Sequence, residues 1–188
     1  MEKIRLGISA CLLGEKVRYD GSHKLDPFLA GTLGKYVEFV PVCPEAEAGL
    51  GVPRDPMRLE GDPADPRLVV TKTGQDMTAR LRRWARGRVG GLEGEGLCGF
   101  IFKARSPSSG MGRVEVYPLT GAPVKAGAGI FARAFMERFP LLPVEDEGRL
   151  QDPKFRENFI ERIFALTRWR ELVSGPKTAG RLVEVHSR

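Results

Sequence analysis

Residues 39–49 read "FVPVCPEAEAG". A run of β-formers ends on Cys43, and Pro44 follows at a position that suits the first residue of a helix. Glu45 and small helix-compatible residues come next. A strand therefore hands over to a helix at a cysteine, two positions before a carboxylate. Residues 4–14, "IRLGISACLLG", repeat the arrangement, with a β-rich run ending at Cys11. In open α/β sheets ligands bind outside the carboxyl ends of the strands, where both thiols stand.

Working outward, hydrophobic periodicity predicts strands over 4–9, 36–42, 68–71, 97–104, 113–117 and 141–145. A weak helix is expected over 26–34, and a short one from Pro44 with Cys43 as its cap. Further helices are expected over about 76–88 and after the glycines of "KAGAGIFARAFMERF". An amphipathic helix over 152–173 carries Phe155, Phe159, Ile163, Leu166 and Trp169 or Arg170 at spacings of three and four. Residues 51–66, "GVPRDPMRLEGDPADP", hold too many prolines and glycines to predict regular structure. Strands alternating with helices give an α/β class: a mostly parallel, Rossmann-like sheet with helices on both faces and a C-terminal helix. Residues 1–173 read as one domain, 149–173 being a C-terminal helical extension, and 174–188 as a polar, loose tail.

The 188 residues are 41% hydrophobic and 29% charged, enough for one sizeable core. No apolar run approaches the ~18 residues of a membrane span, and strand-like sequence begins at once instead of a signal peptide. Three widely spaced cysteines do not make a disulfide framework, so a reducing cytoplasm is the expected compartment. Much of the net charge of +6 sits in "ARLRRWARGR", at Arg80, Arg82, Arg83, Arg86 and Arg88. That stretch is either a solvated helix face or a patch for nucleic acid or an anionic substrate. One Asn and two Gln against many Arg, Glu and Pro hint at a hot environment.

Three strand-end loops qualify as site material: those at Cys11, at Cys43–Pro44–Glu45, and at "SPSSG", residues 106–110. A helix start at Cys43 would favour a thiolate. The competing reading makes both cysteines small core residues. Zinc-like spacing is absent, and neither His23 nor His186 has a partner at ligand spacing. No phosphate-binding glycine loop follows a strand.

The stretches "SACLLGEKVRYDGSHK", "PVCPEAEAGLGVPRDP", "FKARSPSSGMGRVEVY" and "LPVEDEGRLQDPKFRENFIERIF" together closely resemble the thiouracil desulfidase family, over residues 4 to about 172. The form with the "EGRL…RENF" extension often carries another C-terminal domain, and "RLVEVHSR" resembles its truncated start. The resemblance implies an iron–sulfur enzyme whose [4Fe–4S] cluster is held by three cysteines, leaving one iron open. That iron acts as a Lewis acid toward the sulfur of a thiolated pyrimidine such as 2-thiouracil, and water replaces the sulfur without net electron transfer. Carried over residue by residue, Cys11 and Cys43 are cluster ligands, Glu45 is the general acid/base and Ser106 positions the substrate.

The family's third loop usually reads S-P-[ST]-C-G, whereas here Ser109 stands at the third ligand position. Cys98 is no substitute. It opens the strand over 97–104, and at ~3.3 Å per residue it lies roughly 20 Å from the carboxyl end. Three outcomes stay open: Ser109 binds iron through oxygen with lower affinity, the cluster is missing, or Cys11, Cys43 and Glu45 hold a different metal. The corresponding functions are a desulfidase, a cluster-deficient protein binding a nucleobase, nucleotide or nucleic acid, and a mononuclear-metal or thiol-redox protein. Arg54 either grips substrate or anchors its loop. Tyr19 and Asp20 line the pocket mouth or form a turn, the turn being favoured. Arg149 and Arg156 are expected to tie the terminal helix to the domain.

Overall fold

Strand β1 (Ile4–Ser9) sets Ile4, Leu6 and Ile8 on one side of the pleat and Gly7 and the buried Ser9 on the other, which suits it to a central place. In the computed structural model, which describes residues 3–175 together with Gly180 and Val183, it runs parallel to β2 (Val37–Val42) and to β5 (Phe100–Phe102). β5 in turn pairs with β8 (Val144–Asp146), giving the all-parallel order β2-β1-β5-β8. Ladder bonds from Cys98 to Arg5 and from Gly7 to Gly99 carry the β1–β5 pairing back beyond the short β5.

Successive side chains point to opposite faces, and both faces are covered. On one, Ile4, Leu6, Ile8, Val37 and Ile101 pack with Leu12, Leu29, Leu33 and with Phe159 and Ile163 of α4 (Pro153–Ser174). On the other, Val40, Val42, Phe100 and Phe102 meet α2 (Thr78–Glu93) through Ala85, Val89 and Leu92. They meet α3 (Ile130–Arg138) through Phe131, Ala132 and Phe135. Phe100 stacks on Phe102 at 4.3 Å between centroids and tilts against Phe135 at 4.7 Å. Gly7 admits this ring cluster, since a Cβ there would lie 2.1 Å from Cδ2 of Phe100.

A second sheet, in the order β4-β3-β6-β7, departs from the sequence reading. Its strands are β3 (Met57–Glu60), β4 (Arg67–Val70), β6 (Val114–Tyr117) and β7 (Val124–Gly127). β3 lies in the stretch expected to lack regular structure. Its prolines flank the strand instead of interrupting it, and Leu59 is fully buried among Leu68, Met77, Leu81, Val114 and Val116. β7 occupies the start of the glycine-rich lead into α3, where only a loop was expected. α2 runs five residues past Arg88, because a Cβ on Gly90 or Gly91 would face open space while Val89 and Leu92 stay buried. The helix predicted over 26–34 resolves into a π turn (Phe28–Thr32) and a 3-10 turn (Leu33–Lys35).

At its start, α4 is capped by Asp152, whose carboxylate accepts the Lys154 amide at 2.9 Å. Arg149 forks onto Glu145 (2.7 and 3.1 Å) and lies 4.0 Å over Phe155, while Arg156 lies 4.9 Å over Phe28. Both arginines thus tie the helix down as expected. Apart from Ser174, Gly175, Gly180 and Val183, the tail expected over 174–188 lies outside the described residues, with its reading as the start of a further domain. Among the described residues, no helix is long and apolar enough to cross a membrane.

Candidate functional site

The three loops that leave the carboxyl ends of β1, β2 and β5 wall a cavity of about 460 Å³. Cys11 arrives on the 3-10 turn Ala10–Leu13, which Gly14 closes in the left-handed region at φ 94°. Cys43 stands at the start of α1 (Pro44–Glu47), with Pro44 as the first helical residue. Glu45 follows on α1, and Lys103 to Ser109 form the third wall. Cys11, Cys43, Glu45, Ser106 and Ser109 therefore all line one space.

Cys98 is not among the lining residues. It sits at the amino end of β5, in the core with Phe159 and Ile163, where the Thr167 hydroxyl donates to its sulfur at 3.3 Å. His23 serves a turn, its Nδ1 accepting the Leu25 amide at 3.2 Å; His186 lies outside the described residues. No three His, Cys, Asp or Glu side chains gather as a metal site among the described residues.

Burial pushes the Cys11 thiol up to about 11, with the Lys103 charge pulling it back and nearby Cys43 adding to the rise. Cys43 is also raised, again chiefly by burial, against a smaller opposing pull from the Ala46 amide. The expectation that a helix start favours the Cys43 thiolate is thus outweighed. α1 is only four residues long, and desolvation of the charged form dominates.

Glu45 is held from two sides. Nε of Arg54 donates to Oε2 at 2.9 Å and Nη2 closes the ion pair on the same oxygen; the Ser108 hydroxyl donates to Oε1 at 2.8 Å. The rest of the Arg54 guanidinium reaches the carbonyls of Gly51 (2.8 Å) and Val17 (3.1 Å). Four of its five donors are spent on protein groups, which makes Arg54 an anchor for its loop and for Glu45. Asp20 is a turn residue, accepting from the amide and hydroxyl of Ser22 at 3.0 and 2.6 Å, while Tyr19 lines the cavity.

In the third wall, Oγ of Ser106 accepts the Ser109 amide at 3.0 Å and the Ser108 amide at 3.3 Å, and sits 3.0 Å from Oγ of Ser108. Ser109 is 4% exposed, and its hydroxyl makes no hydrogen bond among the described residues. The loop hangs from the start of α3. The amides of Ile130 and Phe131 donate to the carbonyls of Pro107 (3.2 Å) and Ser108 (2.9 Å), and Gly129 donates to Gly110 at 2.8 Å. A Cβ on Gly129 would lie 2.4 Å from the Ser108 carbonyl carbon, so only glycine allows this approach.

Two groups escaped the sequence reading. Ser108 was passed over beside the aligned Ser106 and Ser109. Lys103, ion-paired to Glu147 with its Nζ also donating to the Ala104 carbonyl at 3.1 Å, places a cation at the cavity wall. The only sequence signal for Lys103 was a charge at the end of an apolar strand. The basic stretch on α2 is largely spent internally. Arg80 donates to the Ala48 and Gly49 carbonyls, Arg82 pairs with Asp65, and Arg88 pairs with Glu47.

The family model described as 2-thiouracil desulfurase matches residues 6–147. A solved structure titled "[4Fe-4S]-dependent thiouracil desulfidase TudS" superimposes with a TM-score of 0.65 at 33% identity, covering 86% of this chain and 99% of that one. The uncharacterized protein YbbK of Bacillus subtilis (strain 168) is 28% identical over 130 residues, 66% of this chain and 85% of that protein. With three quarters of its length matched and the three strand-end loops inside the match, this chain belongs to the 2-thiouracil desulfurase family.

Proposed function

We propose that this protein is a desulfidase that hydrolyses the thiocarbonyl of a thiolated pyrimidine nucleobase such as 2-thiouracil, releasing sulfide and leaving a carbonyl. The observation that carries the reading is the convergence of Cys11, Cys43, Glu45, Ser106 and Ser109 on one cavity at the carboxyl edge of the parallel sheet. The solved relative named as a [4Fe–4S]-dependent thiouracil desulfidase supports the substrate class.

Cys11 and Cys43 through sulfur and Ser109 through oxygen would be the residues to hold a [4Fe–4S] cluster in this cavity. Ser109, whose hydroxyl makes no hydrogen bond among the described residues, lines the same cavity as both cysteines, on a loop fixed by α3. When bound, the cluster supplies an open iron as a Lewis acid for the departing sulfur. Serine oxygen is a harder and less acidic donor than a thiol, so Ser109 would be the weakest of the three ligands. Lys103 adds a compensating positive charge beside Cys11.

The chain's own groups do the rest. Glu45 takes the proton of the attacking water and returns one to the leaving sulfur, with Arg54 fixing its direction. Ser106 forms the wall beside the reacting carbon. The test is anaerobic incubation of reconstituted protein with 2-thiouracil, following uracil and sulfide together with iron content. Equal uracil and sulfide, produced only by iron-loaded protein, is the expected result. Iron-loaded protein that binds 2-thiouracil without converting it would overturn the enzyme reading in favour of a nucleobase-binding protein. Iron-free protein with full turnover would overturn the cluster.

A further inference from the structure

Counting donors and acceptors around Glu45 leads to a residue with no assigned role. Oε2 is taken by Arg54, and Oε1 accepts from Ser108 at 2.8 Å. A serine hydroxyl has one proton, so Ser108, having donated it to Glu45, can only accept from Ser106 across the 3.0 Å between their oxygens. The Ser106 proton is therefore directed at Ser108, and its oxygen is left to accept. One acceptor position holds the Ser109 amide at 3.0 Å; the longer 3.3 Å contact to the Ser108 amide leaves the other weakly filled. The hydrogen bonds run one way: Ser106 to Ser108 to Glu45. Both serines line the cavity, Ser106 partly exposed and Ser108 only 2% exposed.

We infer that Ser108 is the positioning residue through which Glu45 draws a proton from the cavity, by a hydroxyl relay ending at Ser106. The inference rests on the desulfidase reading above. The step balances as one proton moved over three bonds. The attacking water gives a proton to Oγ of Ser106, Ser106 gives its own to Oγ of Ser108, and Ser108 gives its own to Oε1 of Glu45. Both serines end neutral, Glu45 ends as the carboxylic acid, and the water, now hydroxide, adds to the thiocarbonyl carbon as the C=S π pair moves onto sulfur. Reversal of the chain returns the proton to the departing sulfur as the C–S bond breaks, so the sulfur leaves as hydrosulfide and Glu45 is again the carboxylate. The relay lets Glu45 act while Arg54 stays on Oε2, because the proton arrives at Oε1 through Ser108. It also gives Ser106 a task other than gripping substrate, for which its proton is no longer free.

The test compares wild type, Ser108→Ala, Ser108→Thr and Glu45→Gln on 2-thiouracil, at matched iron content, in H2O and in D2O mixtures. Ser108→Ala should lose about 100-fold in kcat with KM within about twofold, the range of one acid–base contribution. Ser108→Thr, which keeps the hydroxyl, should recover most of that loss. Wild type should give a bowed proton inventory, from several protons in flight, and Ser108→Ala a linear one. Should Ser108→Ala fail to fold, Ser106→Ala probes the same chain from the cavity side and should give the same kcat loss and linear inventory. Wild-type kcat in Ser108→Ala beside a slow Glu45→Gln would overturn the relay and leave the desulfidase standing, as would a kcat loss with an unchanged inventory. Absence of turnover in iron-loaded wild type would overturn both.

Discussion

Replacing Arg54 by alanine separates two effects of one side chain, because this guanidinium both pairs with Glu45 and ties down two carbonyls. The side chains of Arg54 and Glu45 are 7% and 13% exposed, so the pair is nearly dry. Truncation leaves the Glu45 carboxylate with the Ser108 hydroxyl as its remaining donor and strips the Val17 and Gly51 carbonyls of a partner. Breaking a buried ion pair from one side costs about 3–5 kcal/mol, most of it the penalty of the orphaned charge. For a chain of this length each kcal/mol moves Tm by about 2–4 °C, so a fall of about 6–20 °C is expected. Thermal unfolding by circular dichroism measures it, on wild type and variants at the same iron content. Adding Glu45→Gln to Arg54→Ala removes the orphaned charge, so the double variant should be more stable than Arg54→Ala alone by at least about 1 kcal/mol. Arg54→Lys should fall between, keeping the charge but losing the two-pronged contact. A drop of less than about 2 °C in Arg54→Ala, or a double variant losing the sum of the single losses, would refute the buried-pair account.

Ser109→Cys should raise iron and sulfide content after anaerobic reconstitution and increase 2-thiouracil turnover, since a third thiolate replaces a harder donor; Cys98→Ser should change neither quantity. A variant Ser109→Cys with unaltered iron content would remove Ser109 from the ligand set. Gly7→Ala should cost about 3 kcal/mol or more in urea unfolding, at the upper end of overpacking, because its Cβ would lie 2.1 Å from the Phe100 ring; unchanged stability would mean that the ring cluster yields easily. In metal-free protein the Cys11 thiol titrates near 11, above its ordinary value of 9.0. Its burial as the neutral form thus contributes stability fully below pH 9, a contribution lost as pH rises toward 11. Cys11→Ala should flatten that part of the stability profile, and an unchanged slope would place the titration elsewhere.

Much of this site could be read from the chain because strand ends are punctuated locally. Pro44 after Cys43, and Gly14 after the Cys11 turn, mark where β2 and β1 stop, and a parallel sheet then gathers those ends on one edge. What could not be read depended on partners distant in sequence. β3 exists because Leu59 is buried against Leu81 and Val116, a fact no window around its flanking prolines contains. The role of Arg54, left open between substrate and loop, was decided by which carbonyls lay within reach. Ser108 looked like filler between two family positions until its bond to Glu45, 63 residues away, was visible. The thiol of Cys43 went the other way: a local rule about helix starts was correct in kind but too weak against burial.

The suspension of residues 107–110 from the first amides of α3 has a bearing on how such proteins diverge. The same helix sends Phe131 and Phe135 into the ring cluster on β5, so this wall inherits the positional fidelity of the core instead of the play of a surface loop. Exchange of sulfur for oxygen at residue 109 is then a change of element at a fixed address. On the cluster reading proposed above, a single codon at residue 109 would weaken or restore the grip on iron, while the neighbouring hydroxyls and carboxylate keep their places.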